Sequence, residues 1–196
     1  MVARVNTVAF QGIEAVPIDV QVQITAGSPV FALVGLPDKT VGESRERIRA
    51  ALFASGLALP QRRITVNLAP ADLPKEGSHY DLPIALAILA AIGAMPGDQL
   101  ADYVALGELS LDGTIAPVAG VLPAAIGAGA MGKGLICPAD TGSEAAWASP
   151  DLVIVPGRSL VQLANHFKGT QVVSRPVPKV REAAAALPDL KDVKGQ

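Results

Sequence analysis

The chain has 196 residues, the length of one large domain or of one domain with a tail. Hydrophobic residues make up 50% and charged residues 17%, enough apolar material for a sizeable core, and 4% aromatics leave that core to Ala, Val, Leu and Ile. A net charge of −2 excludes a global electrostatic attraction to nucleic acid and leaves only local patches.

Three strands are expected over residues 2–34. Within the second, Val16, Ile18, Val20, Val22 and Ile24 recur with a period of two and share one face. Short connections predict that all three run antiparallel. Leu36-Pro37-Asp38 then opens a helix over residues 39–55, with Val41, Ser44, Ile48, Leu52 and Ser55 in one stripe and Gly56 at its end. Arg45, Arg47 and Arg49 lie beside or opposite that stripe, with Glu43 and Glu46.

The stretch over residues 65–93 organises the rest. The β-branched run 65–68 reads as a strand, and residues 69–80, with two prolines, a glycine and most of the local charge, read as a loop. Asp81 is placed to cap a helix, and Pro83 sits near its first position, where a missing N–H costs nothing. Residues 84–92 are apolar on every side. Such a helix is central to a core or spans a membrane, and this run is shorter than the roughly 18 residues a span needs. It is therefore expected at the centre of a water-soluble domain.

Residues 95–98 read as a turn and 103–108 as a strand. Residues 109–115 read as a hairpin with Asp112-Gly113 as a two-residue turn. A small-residue helix follows over 118–130. Strands over 134–137 and 152–155 then alternate with helices over 142–148 and 159–167, the pattern of a parallel α/β edge. The fold class is α/β (α+β), a mixed sheet with packed helices, in a domain over residues 1–168. Residues 169–196, with Pro176 and Pro178 and a helix-capable piece over 179–187, read as a linker. The single cysteine, Cys137, cannot form an internal disulfide and reads as a buried strand-end thiol. With no signal peptide read at the start, a cytoplasmic location is expected.

Four features of the sequence bear on chemistry. Residues 127–134 match G-x-G-x-x-G, and G-x-x-x-x-G-K, yet they leave a helix and enter a strand. A phosphate loop needs the reverse order, so no nucleotide site is assigned. Ser78-His79 with Asp81 and Lys75 offers a nucleophile, a base and a carboxylate, but adjacent residues rarely face each other productively. Two histidines and one cysteine provide no metal-ligand spacing. Arg45, Arg47, Arg49, Arg62 and Arg63 gather at both ends of one helix-to-strand connection. They form either a solvated face laced by Glu43 and Glu46 or a small phosphate-backbone patch.

Residues 34–52, 64–91 and 107–125 together resemble the N-terminal domain of the Mg-chelatase-like AAA+ ATPases, the YifB/competence protein ComM family. The resemblance covers roughly residues 3–168. The ending Asp192-Val193-Lys194-Gly195-Gln196 resembles the entry to an AAA+ module. ATP, magnesium and a hexameric ring are thereby implied for a part beyond this chain, and no cofactor for the chain itself. A more distant resemblance to the Lon proteolytic domain, of the ribosomal protein S5 domain 2-like group, offers a chemical test. Its serine–lysine dyad maps onto His79, one place after Ser78 in the loop Lys75-Glu76-Gly77-Ser78-His79, and onto Leu122. Leucine cannot take a proton, so both dyad positions are lost and no peptidase activity is expected. The resemblance implies a motor for DNA processing, such as branch migration in natural transformation. This domain would then assist assembly with its own AAA+ domain and neighbouring subunits, or contact single-stranded or branched DNA. A chelatase-type subunit of tetrapyrrole synthesis and a degenerate Lon-like peptidase are the alternatives.

Overall fold

The computed structural model describes residues 2–180. β1 (Val2–Gln11) and β2 (Glu14–Thr25) form a long antiparallel hairpin, and in β2 Ile18, Val20 and Val22 are buried. β3 (Val30–Val34) leads into α1 (Lys39–Ala54), which returns the chain to β4 (Arg63–Ala69). Asp38 caps α1, its Oδ1 accepting from the Val41 N–H at 2.7 Å. Val41, Ser44, Ile48, Ala51 and Leu52 form the buried stripe.

The sheet has seven strands in the order β3-β4-β2-β1-β5-β8-β9. The first three strands alternate in direction as expected, but of the three only β1 and β2 are paired neighbours. β4 inserts between β2 and β3, antiparallel to the first and parallel to the second. The cause is α1. It carries the chain over the sheet, so β3 and β4 are the two strands of a helical crossover and run in the same direction.

After β4, a 3-10 turn (Ser78–Tyr80) runs straight into α2 (Asp81–Ala91). Leu82 to Leu89 are all fully buried, as an apolar helix without a polar face requires. The 95–98 turn is in part a short helix, α3 (Gly97–Leu100). The strand expected over 103–108 breaks into β5 (Tyr103–Ala105), in the main sheet, and β6 (Glu108–Leu109), which pairs with β7 (Ile115–Ala116). Their hairpin is wider than a two-residue turn. The Ser110 N–H donates to the Thr114 carbonyl at 3.0 Å, enclosing Leu111 to Gly113. Gly113 lies at φ +87°, the left-handed position a three-residue loop demands.

α4 (Val121–Ala130) starts three residues later than expected, after Gly120. β8 (Gly134–Pro138), the single-turn α5 (Gly142–Ala145), β9 (Ile154–Gly157) and α6 (Leu160–Phe167) complete the fold. β5, β8 and β9 are mutually parallel. β1 and β5 share one registered pair, Asn6 with Val104, and the Asn6 side chain donates to the Ala101 and Tyr103 carbonyls at 3.2 and 3.3 Å.

The two halves of the sheet are covered differently. Val5, Val20, Val66 and Ile136 pack with α1 and α2 in one apolar cluster. Val8, Val104, Leu135 and Cys137 turn to the opposite face and pack on α4 and α5. In β2 and β4 the residues between the buried ones are Asp19, Gln21, Thr65 and Asn67, all half-buried, so this antiparallel half keeps one polar face. Cys137 is fully buried, and burial pushes its thiol up to about 12.

Residues 169–180 carry no helix or strand. They are nonetheless held on the body: Arg175 donates to the Leu152 and Ser149 carbonyls at 3.0 and 2.8 Å, and the Val173 N–H donates to His166 Nδ1 at 2.9 Å. The helix expected over 179–187 falls outside the described residues beyond 180. No helix among the described residues is long and apolar enough to cross a membrane.

Candidate functional site

The loop before α2 is a packing hub. Its backbone is paired with residues 36–38: the Asp38 N–H donates to the Lys75 carbonyl at 3.0 Å and the Lys75 N–H to the Leu36 carbonyl at 3.2 Å. Gly77, at φ +98°, turns the chain here; a Cβ on it would lie 3.2 Å from His79 Nδ1. Lys75 is buried with its ammonium donating to the Pro70 carbonyl, and burial lowers its pKa. Glu76 is exposed and Ser78 half-buried.

His79 is buried and donates from Nε2 to the Val8 carbonyl at 2.8 Å, so the neutral ring carries its proton on Nε2. Phe10 and Tyr80 flank it, with ring centroids 5.2 and 4.1 Å away, and burial lowers its pKa. The His79 carbonyl accepts from the Gly107 N–H at 3.0 Å, which ties the loop to the segment between β5 and β6. Leu122 is half-buried in the first turn of α4.

Asp81 does not cap α2; Tyr80 holds the cap position and makes no side-chain bond there. Instead the fully buried Asp81 carboxylate faces α1. Arg47 grips it with two donors, Nε to Oδ2 at 2.5 Å and Nη2 to Oδ1 at 3.0 Å. The Ser44 hydroxyl donates to Oδ1, and the Leu109 N–H donates to Oδ2 at 3.1 Å. The hydrogen bond to Asp81 raises the Arg47 pKa against the opposing effect of burial. A carboxylate buried at a helix junction is tolerable only when its lone pairs are filled this way. The constellation Ser78, His79, Asp81 and Lys75 is therefore not brought together. Each polar end of His79, Asp81 and Lys75 is used by a different part of the fold.

The five arginines separate into two groups. Arg47 leaves the patch for Asp81, with Glu43 at 3.8 Å on its outer side. Arg45, Arg49, Arg62 and Arg63 are exposed and make no ion pair within 4 Å among the described residues. Arg49 and Arg62 face one groove of about 240 Å³, floored by Phe31 and Ile64 and walled by Phe53 and Val30. Phe53, 80% exposed on the same face of α1 as Arg49, is the site residue that sequence reasoning missed. Its signal was there: it stands four residues after Arg49, outside the buried stripe. Among the described residues no group of three or more His, Cys, Asp or Glu side chains could hold a metal ion.

The fold is that of an α+β domain with a seven-stranded mixed sheet, in which the motif loop joins helices to sheet. Residues 20–141, more than half of the chain, match the family described as subunit ChlI of Mg-chelatase, and the chain belongs to that family. It is 40% identical over 192 residues to YifB of Escherichia coli, which covers 98% of this chain and 38% of YifB. It is 40% identical over 195 residues to Rv2897c of Mycobacterium tuberculosis, again 98% and 38%. With competence protein ComM of Haemophilus influenzae it shares 37% identity over 199 residues, 99% of this chain and 39% of ComM. The chain thus spans under two-fifths of the length of these relatives.

Proposed function

We propose that this chain is a non-catalytic domain of a Mg-chelatase-like AAA+ ATPase and that it contacts DNA through Arg45, Arg49, Arg62 and Arg63. One observation carries the reading: four exposed arginines, with no ion pair among the described residues, lie at the two ends of one helix-to-strand connection of a chain whose net charge is −2. Exposed guanidinium groups of this kind suit phosphate oxygens, which position a strand without reading its sequence. The ComM relative, a competence protein by name, supports a competence-related role. ATP hydrolysis, magnesium and ring assembly belong, in this reading, to the remaining length of the full protein.

The lost dyad favours the non-catalytic half of the proposal. His79 occupies the nucleophile position with its ring bonded to Val8, and Leu122 occupies the base position. Fluorescence anisotropy of this chain with single-stranded and branched DNA across a salt series tests the contact. Counterion release makes log affinity fall linearly with log salt, and each arginine that contacts a phosphate adds roughly 0.7 to 0.9 to the slope. The expected result is a steep slope that flattens when the four arginines become alanine. A flat salt dependence overturns the reading and leaves the domain as a scaffold for neighbouring subunits.

A further inference from the structure

We infer that the groove between α1 and the β3–β4 edge takes single-stranded DNA, with Phe53 stacking on an unpaired base while Arg49 and Arg62 hold the flanking phosphates. This rests on the DNA-contact reading and adds to it the kind of strand and the residue that selects it.

Arg45, Arg49 and Phe53 follow one another at intervals of four along α1, so they share one face, each step rising about 6 Å. Phe53 stands at the C-terminal end of that row with 80% of its surface exposed, in a chain where only 4% of residues are aromatic. Its ring is not needed by the core, because Ile48, Ala51 and Leu52 already fill the inner face of the helix. Across the groove lies Arg62, and the floor of Phe31 and Ile64 is apolar. Among the described residues the groove lining contains no acidic residue; Glu46 is exposed one turn before Arg49 and does not line it. An aromatic face beside two cations that have no ion pair among the described residues is the pairing that single-strand binders use, with stacking for bases and charge for the backbone. A duplex hides its base faces and can use only the cations. Arg49 and Arg62 also set this groove apart from a site for an apolar peptide, which would leave both charges unmatched.

The test uses the whole 196-residue chain and two labelled probes of equal length, oligo(dT) and a duplex, in anisotropy titrations across salt. Phe53→Ala is expected to weaken oligo(dT) binding about tenfold without changing the salt slope, and to leave the duplex unaffected. Phe53→Trp is expected to restore the affinity and to be quenched by oligo(dT). Arg49→Ala and Arg62→Ala are expected to reduce the slope on both probes. Unchanged oligo(dT) affinity in Phe53→Ala, with the arginine effects present, overturns the stacking role and leaves the phosphate contact standing. Equal weakening on both probes overturns the preference for single strands. No binding of either probe at low salt overturns this inference together with the reading beneath it, and sedimentation of Phe53→Ala then tests Phe53 as a contact between copies. Because Phe53 is outside the core, urea unfolding of the variant is expected to match the parent.

Discussion

Arg47 and Arg49 stand two residues apart on α1 and do opposite things. Arg47 points in, holding the buried Asp81 carboxylate with a two-donor grip, and only 19% of its side chain is exposed. Arg49 points out over a groove and has no ion-pair partner among the described residues. The same guanidinium chemistry serves packing in one region and remains free for a ligand in the other. In the most motif-like stretch of the sequence, residues 75–81, the side chains of Lys75, His79 and Asp81 are thus already paired within the fold. The site with unused capacity is a quieter one on the far side of the helix. A strong motif marks chemistry that is needed, and the need here is to join α1, α2 and the β6 hairpin.

The largest effect that can sharpen this contrast is on the buried side. Arg47→Ala is expected to destabilise the chain by about 3–5 kcal/mol, because it strands a buried carboxylate. Urea unfolding measures it. In a double-mutant cycle, Asp81→Asn should cost much less in the Arg47→Ala background than in the parent, because the carboxylate it neutralises has already lost its partner. If Arg47→Ala unfolds no more easily than Arg49→Ala, the division between the two regions is wrong.

The second effect is on pH. Burial lowers the pKa of His79 and of His166, so the unfolded chain binds protons more readily than the folded one. The stabilisation is complete above the unfolded value of about 6.5 and is lost as pH falls below it toward the folded values. The urea midpoint is expected to drop between pH 7 and pH 5, with a shallower drop in His79→Gln.

The smallest effect is the one expected on stability from the outer arginines. Arg49→Ala and Arg62→Ala should leave the urea midpoint within about 0.5 kcal/mol of the parent, as substitutions at exposed positions do. A larger loss would mean that these side chains hold the fold, and the groove would lose its claim to a ligand.

Local pattern made much of this fold readable. The period of two in β2 and the unbroken apolar run of α2 each describe an element whose neighbours simply have to cover it. Partner choice was not readable in the same way. Nothing within residues 30–34 says that β3 prefers β4 over β2; the crossover through α1 decides it. Asp81 shows the same limit at the scale of one side chain. Its position before Pro83 satisfies the rule for a helix cap, but Arg47, distant in sequence, competes for the carboxylate with two charged donors and takes it. The arginine cluster was legible as a cluster. Which member was committed depended on whether α1 turned that member toward α2, and Phe53 became visible only once the buried stripe was known.

Cys137 carries a practical consequence. It is the sole thiol in the chain, it lies fully buried on β8 in the middle of the parallel half, and it is held in its protonated form by burial. An alkylating reagent needs the thiolate and needs access, and the folded sheet denies both. Labelling therefore waits for that part of the sheet to open, so the rate at which the chain takes up reagent is a clock for its opening, built in without any engineered probe.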